Sequence, residues 1–81
     1  MKERRELLLP IGEALRQARE KAGMTQEALA FEADFDRSYI SYLENDVQSP
    51  TVDSLAKICR TLDVTVSDVI KRAEKRRNSR K

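Results

Sequence analysis

Apolar residues recur along this chain every three or four positions, the spacing that puts them on one face of an α-helix. The pattern begins near Pro10 and returns in five separate stretches. Only two glycines and two prolines interrupt the 81 residues, which favours helix over β-structure or disorder. The pattern therefore predicts an all-α fold with five helices.

The first two predicted helices are separated by Gly23, a residue that readily adopts the backbone conformation of a helix end. Pro10 suits the first turn of the first helix. Thr25 is the predicted N-cap of the second, which ends near residue 33. The predicted inward positions are small or branched: Ile11, Ala14, Leu15, Ala18, Ala22, Ala28, Leu29 and Ala33.

The third predicted helix has an unusual polar face. It runs from Arg37 to about Asn45 after a break over residues 34–36, and Asp36 is its expected cap. Its predicted inward residues are Ile40, Leu43 and, further on, Val47. A solvated helix face normally carries Lys and Glu, whereas this one carries short or planar hydrogen-bonding groups: Arg37, Ser38, Ser41, Tyr42 and Asn45. Such groups suit contact with another molecule.

Two further helices complete the prediction. Thr51 is the expected cap of the fourth, and Thr65 with Asp68 begins the fifth, which ends near Ala73. Their predicted core residues are Val52, Leu55, Ile58, Cys59, Leu62, Val66, Val69, Ile70 and Ala73. The chain thus divides into an N-terminal arm over 1–9, a helical domain over 10–73 and a basic tail over 74–81.

Composition excludes much catalytic chemistry. The chain has no histidine and a single cysteine, so an internal disulfide, a Cys/His metal site and histidine acid–base catalysis cannot be assembled. We therefore expect no enzyme activity, metal or cofactor, and we interpret Cys59 as an inert apolar residue. No apolar run approaches the ~20 residues of a membrane span, and Leu7–Leu9 is too short for a signal peptide. A cytoplasmic protein without membrane contact is expected.

The net charge of +2 is unevenly distributed. Residues 71–81 carry seven basic residues and one acidic, whereas residues 1–70 carry nine basic and thirteen acidic. An acidic folded part argues against indiscriminate nucleic-acid binding and requires any such surface to be a local patch. The basic tail is consistent both with added DNA attraction and with a solvated helix end.

Two short helices joined by a turn of about three residues form a helix-turn-helix unit. The chain reads MTQEALA over 24–30, DRSYISYLEN over 36–45 and SPTVDSLAKI over 49–58. In order and spacing these pieces resemble the phage repressor and Cro family, the XRE type, over about residues 11–70. The resemblance implies a five-helix, repressor-like domain that binds a double-stranded DNA operator as a homodimer.

Roles for particular residues follow from the same resemblance. Arg37 and Ser38 would enter the major groove first, with Ser41 and Tyr42 one turn later. Arg37 is the expected reader of guanine, because a guanidinium donates two parallel hydrogen bonds to O6 and N7.

Four other residues would support this contact. Gln26 and Asn45 would bind phosphates, and a structural ion pair between Arg19 and Glu44 would fix the pitch of the third helix. The chain departs from the family at Asp34 and Asp46, where glycine is common, and both positions are expected to need left-handed backbone.

Several alternatives stay open. The fifth helix, with Val66, Val69 and Ile70, is the expected dimer surface, joined or not by Leu7–Leu9, unless core packing consumes it. A phage repressor, a restriction–modification controller and an antitoxin fit the sequence alike, although residues 36–41 lean towards the controller. The rival class is a protein-interaction module whose main partner is another protein.

The aromatic residues divide between packing and contact. Tyr39 is expected to pack, and Tyr42 fits packing and DNA contact equally well. Phe31 points away from the predicted core of its helix and is expected to cover the arm or to meet a partner, the arm being slightly favoured.

Overall fold

A computed structural model describes residues 9–78, and within that range every regular element is an α-helix, as predicted. The helices are α1 (Gly12–Lys21), α2 (Gln26–Ala33), α3 (Arg37–Glu44), α4 (Val52–Thr61) and α5 (Val66–Asn78). The predicted arm, apart from Leu9, and the last three residues of the predicted tail lie outside the described residues.

One apolar core joins all five helices. Its most deeply buried side chains come from all five helices, and those of α5 are Val69 and Ala73. The largest of them are Leu15, Leu29, Ile40, Leu43 and Ile58, each with at most 2% of its surface exposed. Burying a side chain of this size contributes about 1.5–3 kcal/mol to the stability of the fold. Packing of these buried side chains is therefore the main interaction that fixes the positions of the helices.

Threonines begin three of the helices as the sequence predicts. A threonine hydroxyl accepts a hydrogen bond from a backbone N–H in the first turn, at 3.0 Å in each case. The pairs are Thr25 with Ala28, Thr51 with Ser54, and Thr65 with Asp68. Asp36 occupies the N-cap position of α3, as predicted, but its carboxylate makes no capping hydrogen bond.

Four helices end in the same way, with one residue in the left-handed conformation. In each, the next N–H closes a hydrogen bond to a carbonyl five residues back, at 2.8–3.1 Å. The left-handed residues are Gly23 (φ 74°), Asp34 (φ 64°), Asp46 (φ 58°) and Asp63 (φ 59°). The expectation of left-handed backbone at Asp34 and Asp46 is confirmed, and Asp63 adds a third such aspartate.

Glycine substitutions at two of these positions are expected to act in opposite directions. Asp34→Gly relieves left-handed strain and should raise the free energy of unfolding by up to about 1 kcal/mol. Asp46→Gly also removes a carboxylate oxygen that accepts from the Gly12 N–H at 2.9 Å, a bond to a charged group worth about 1.5–3 kcal/mol. It should therefore lower the free energy of unfolding by about 1 kcal/mol. Urea titrations check this, and equal midpoints for the two variants would contradict it.

Two valines predicted to face inward are exposed. Val47 is 68% exposed because the left-handed turn at Asp46 ends the helical periodicity before it. Val52, the first residue of α4, is 78% exposed. Both assignments were wrong, as was that of Ala22, which is exposed at the C-cap of α1.

Helix α5 also differs from the prediction. It continues to Asn78 instead of ending near Ala73, so part of the basic segment is helical. Val69 is buried and Val66 and Ile70 are half-buried against the core. Much of the apolar face that was expected to form a dimer surface is therefore buried within the protein's own core.

Candidate nucleic-acid interface

Helices α2 and α3, joined by residues 34–36, form a helix-turn-helix unit. Ala30 and Ala33 are buried on α2, and their small side chains let α3 lie close. Ile40 and Leu43 hold the inner face of α3 in the core, each 1% exposed. The opposite face of α3 therefore projects from the body of the protein.

Four of the five predicted contact residues lie on this projecting face of α3, and the fifth, Asn45, is its C-cap. Arg37, Ser38, Tyr42 and Asn45 are exposed and Ser41 is half-buried. The amide of Asn45 donates to the Ser41 carbonyl at 3.0 Å, so it folds back over the end of α3. The face carries one cation and neutral hydrogen-bonding groups, with no carboxylate between Arg37 and Tyr42.

Helix α1 is tied to the end of α3 by an ion pair. Arg19 Nε donates to Glu44 Oε2 at 2.6 Å and its second terminal nitrogen donates to Oε1 at 3.0 Å. The two side chains are 10% and 2% exposed. The hydrogen bond to Glu44 raises the pKa of Arg19 against the opposing effect of burial. Arg19 also donates to the Met24 carbonyl at 2.8 Å, so one guanidinium joins α1, the α1–α2 turn and α3.

Gln26, the predicted phosphate ligand, is part of the same network. Its Nε2 donates to Glu44 Oε1 at 3.0 Å, and its Oε1 lies 3.5 Å from Nη1 of Arg37. The predicted structural pair and two of the predicted DNA contacts are therefore linked through side chains on three helices.

Gly12, the first residue of α1, has a role that was not predicted from the sequence. A β-carbon there would lie 2.3 Å from the Glu44 carbonyl oxygen and 2.8 Å from that of Leu43. The start of α1 thus touches the backbone of α3 at its end, and Asp46 accepts from Gly12 at this junction. In the sequence, the only sign of this contact is a glycine near the start of a helix. The backbone conformation at Gly12 does not itself require glycine.

The turn between α2 and α3 is held by aromatic packing. The rings of Phe35 and Tyr39 lie 4.9 Å apart, and Lys57 lies over the Phe35 ring at 4.7 Å. The packing role predicted for Tyr39 agrees with this contact. Phe31, by contrast, is 85% exposed, and most of the arm expected to cover it lies outside the described residues.

Other kinds of site find no support in residues 9–78. No cluster of three or more His, Cys, Asp or Glu could hold a metal ion in that range. Cys59 is buried, and burial raises the pKa of its thiol, which keeps it unreactive. None of the described helices is long and apolar enough to cross a membrane.

Comparison with known proteins assigns the family. The sequence model of the helix-turn-helix family matches residues 15–69. Control protein C.BamHI of Bacillus amyloliquefaciens is 40% identical over 63 residues, covering 76% of this chain and 78% of its own. The restriction–modification controller C.AhdI of Aeromonas hydrophila superposes with a TM-score of 0.72 at 30% identity, covering 75% of this chain and 92% of its own. SinR, solved in complex with DNA, gives 0.71 at 33% identity, covering 74% and 97%. The chain therefore belongs to the helix-turn-helix family of the XRE type.

Proposed function

We propose that this protein is a sequence-specific regulator of transcription that places α3 in the major groove of double-stranded DNA. The observation that carries the proposal is the projecting face of α3, whose inner side is fixed in the core. A helix fits the major groove, which is about 12 Å wide. The likeness to SinR, which was solved in complex with DNA, supports DNA as the ligand.

Individual roles follow from position and chemistry. Arg37 lies at the N-terminal end of α3, the end that meets base edges in this motif. Its guanidinium can donate two hydrogen bonds to guanine, whereas Ser38, Ser41 and Tyr42 offer hydroxyls that discriminate less. Gln26, at the start of α2, would bind a phosphate.

Asn45, at the end of α3, would bind a phosphate on the other flank. Its amide would have to leave the Ser41 carbonyl or use its second N–H to do so.

The biological setting that we propose is control of a restriction–modification operon. C.BamHI and C.AhdI, two of the proteins similar to this chain, are control proteins. We propose that the chain works in the cytoplasm as a homodimer that reads a palindromic operator, because one recognition helix covers only a few base pairs. It acts by binding and not by catalysis.

Arg37→Ala is expected to weaken binding to the preferred operator by about 1–3 kcal/mol and to relax preference at one base position. Gln26→Ala should weaken every duplex, preferred or competitor, because a phosphate contact carries no sequence information; any loss of base preference in this variant would have to act through Arg37, which Gln26 faces. Titration of each variant against an operator and its single-base variants measures both effects. Wild-type affinity and selectivity in both variants would remove α3 from the interface.

Selection of bound duplexes from random DNA tests the function as a whole. The expected result is one preferred sequence with twofold symmetry and an affinity that falls steeply with salt. An asymmetric site would contradict the homodimer and leave the DNA function in place. No preference over bulk competitor would contradict the function itself.

A protein-interaction module is the second candidate, and exposed Phe31 favours it. Glu27 and Glu32 lie near Phe31 on α2, which suits a basic protein surface better than a phosphate backbone. If Phe31→Ser abolished regulation in cells while operator affinity stayed unchanged, a protein partner would be required in addition to DNA.

A further inference from the structure

A chain of hydrogen bonds runs from the buried ion pair to the tip of α3. Arg19 donates to Glu44, Glu44 accepts from Gln26, and Gln26 faces Arg37. The Glu44 carboxylate is 2% exposed, whereas Arg37 is fully on the surface. The network therefore connects a buried side chain with an exposed one.

The chemistry of the network permits only one orientation of the Gln26 amide. A carboxylate only accepts hydrogen bonds and a guanidinium only donates them. The NH₂ group of Gln26 must therefore face Glu44, and its oxygen must face Arg37. Turning the amide over would set oxygen against carboxylate and NH₂ against guanidinium, two repulsive contacts in place of two favourable ones.

We infer that Glu44 is a positioning residue for DNA specificity, in addition to its place in the ion pair. By fixing the Gln26 amide, it presents an acceptor that holds the Arg37 guanidinium before DNA arrives. This inference rests on the proposed function for its DNA consequence, but the restraint on Arg37 exists in the free protein. Gln26 keeps its second amide N–H for a phosphate, so both roles fit one side chain.

Such a restraint affects specificity more than general affinity. Ordering a long side chain at an interface is costly, and a side chain ordered in advance avoids much of that cost. This lower ordering cost strengthens binding only when Arg37 forms hydrogen bonds with its base. Binding to a mismatched duplex is not strengthened by it. The restraint should therefore contribute about two- to tenfold in preference for the correct base pair.

Two variants separate positioning from stability. Arg19→Met breaks the ion pair but leaves the Glu44 carboxylate to accept from Gln26. The double variant Arg19→Met/Glu44→Leu removes that acceptor and leaves no buried charge unpaired, so it should be the more stable of the two. If Glu44 positions Arg37, the double variant should be more stable than Arg19→Met but less specific for the preferred DNA sequence. A merely structural role predicts that specificity follows stability.

The first measurement needs no DNA. The NMR order parameter of the Arg37 Nε–H group is expected to stay near wild type in Arg19→Met and to fall in the double variant. Gln26→Met changes a part-exposed side chain and keeps the fold, and it should lower this order parameter as well. It therefore provides a test even if Arg19→Met does not fold. An unchanged order parameter in Gln26→Met, or an equal fall in the two ion-pair variants, overturns the inference.

The second measurement is the affinity ratio between a selected operator and the same duplex changed at the base pair that Arg37→Ala identifies. Phosphate contacts are equal in the two duplexes, so their contribution to affinity cancels in the ratio. It should drop about two- to tenfold in the double variant and in Gln26→Met. A wild-type ratio in both overturns positioning, whereas the absence of any preferred duplex overturns the proposed function and leaves the NMR result to decide the restraint.

Discussion

Gly12→Ala should destabilise the protein by about 3 kcal/mol or more, the upper range for added volume in a packed region. The new β-carbon would lie 2.3 Å from the carbonyl oxygen and 2.7 Å from the carbonyl carbon of Glu44. Both are backbone atoms, so no side-chain rotation relieves the contact. The start of α1 must separate from α3, which also weakens the hydrogen bond from Gly12 to Asp46. Urea unfolding followed by circular dichroism measures the loss.

Gly23→Ala is the matched control, because it adds the same methyl group with nothing within 4 Å of it. Its cost is the left-handed backbone at φ 74°, about 1–2 kcal/mol for an L-residue. Gly23→Asn should recover part of this, since asparagine tolerates that conformation, whereas Gly12→Asn should be no better than Gly12→Ala. If Gly12→Ala were the milder of the two alanine variants, the close contact between α1 and α3 would be wrong.

These two glycines show how far the sequence predicts the fold. Gly23 was recognised because a helix end is a local property, written in a few adjacent residues. The same holds for Thr25, Thr51 and Thr65, which begin helices where the sequence places them. Gly12 was missed because its role depends on the carbonyl of Glu44, a residue 32 positions away.

The exposed valines have the same explanation. Helical spacing assigns Val47 and Val52 to the core because it assumes that a helix and its neighbours continue. The left-handed turn at Asp46 and the start of α4 at Val52 break that assumption. Periodicity predicts the middle of each helix well and its ends poorly.

The residues of the candidate interface could be named from the sequence, but the hydrogen bonds between them could not be predicted. The family resemblance supplied Arg19 and Glu44 as a structural ion pair, and Gln26 and Arg37 as separate contacts with DNA. The structure places them in one network, which spacing along the chain cannot reveal because the four come from three helices. Their roles at DNA stay predictions until the variants are measured.

Arg19→Met is expected to lower the free energy of unfolding by about 3–5 kcal/mol, the usual cost of breaking a buried ion pair from one side. Glu44 would be left as a carboxylate in a site where only 2% of its side chain is exposed. The variant also loses the hydrogen bond to the Met24 carbonyl, which anchors the α1–α2 turn. For a domain of this size, whose total stability is about 4–12 kcal/mol, the loss leaves a marginal fold.

The double variant Arg19→Met/Glu44→Leu isolates the cause. Two apolar side chains of similar volume carry no desolvated charge, and such replacements are often neutral or stabilising. The second substitution should therefore recover most of the loss, although Glu44→Leu alone should be destabilising because it strands the Arg19 guanidinium. Added salt should change these differences little, since a buried pair is poorly screened. If the double variant unfolded at the same urea concentration as Arg19→Met, the instability would arise from lost packing around Arg19 and not from an unpaired charge.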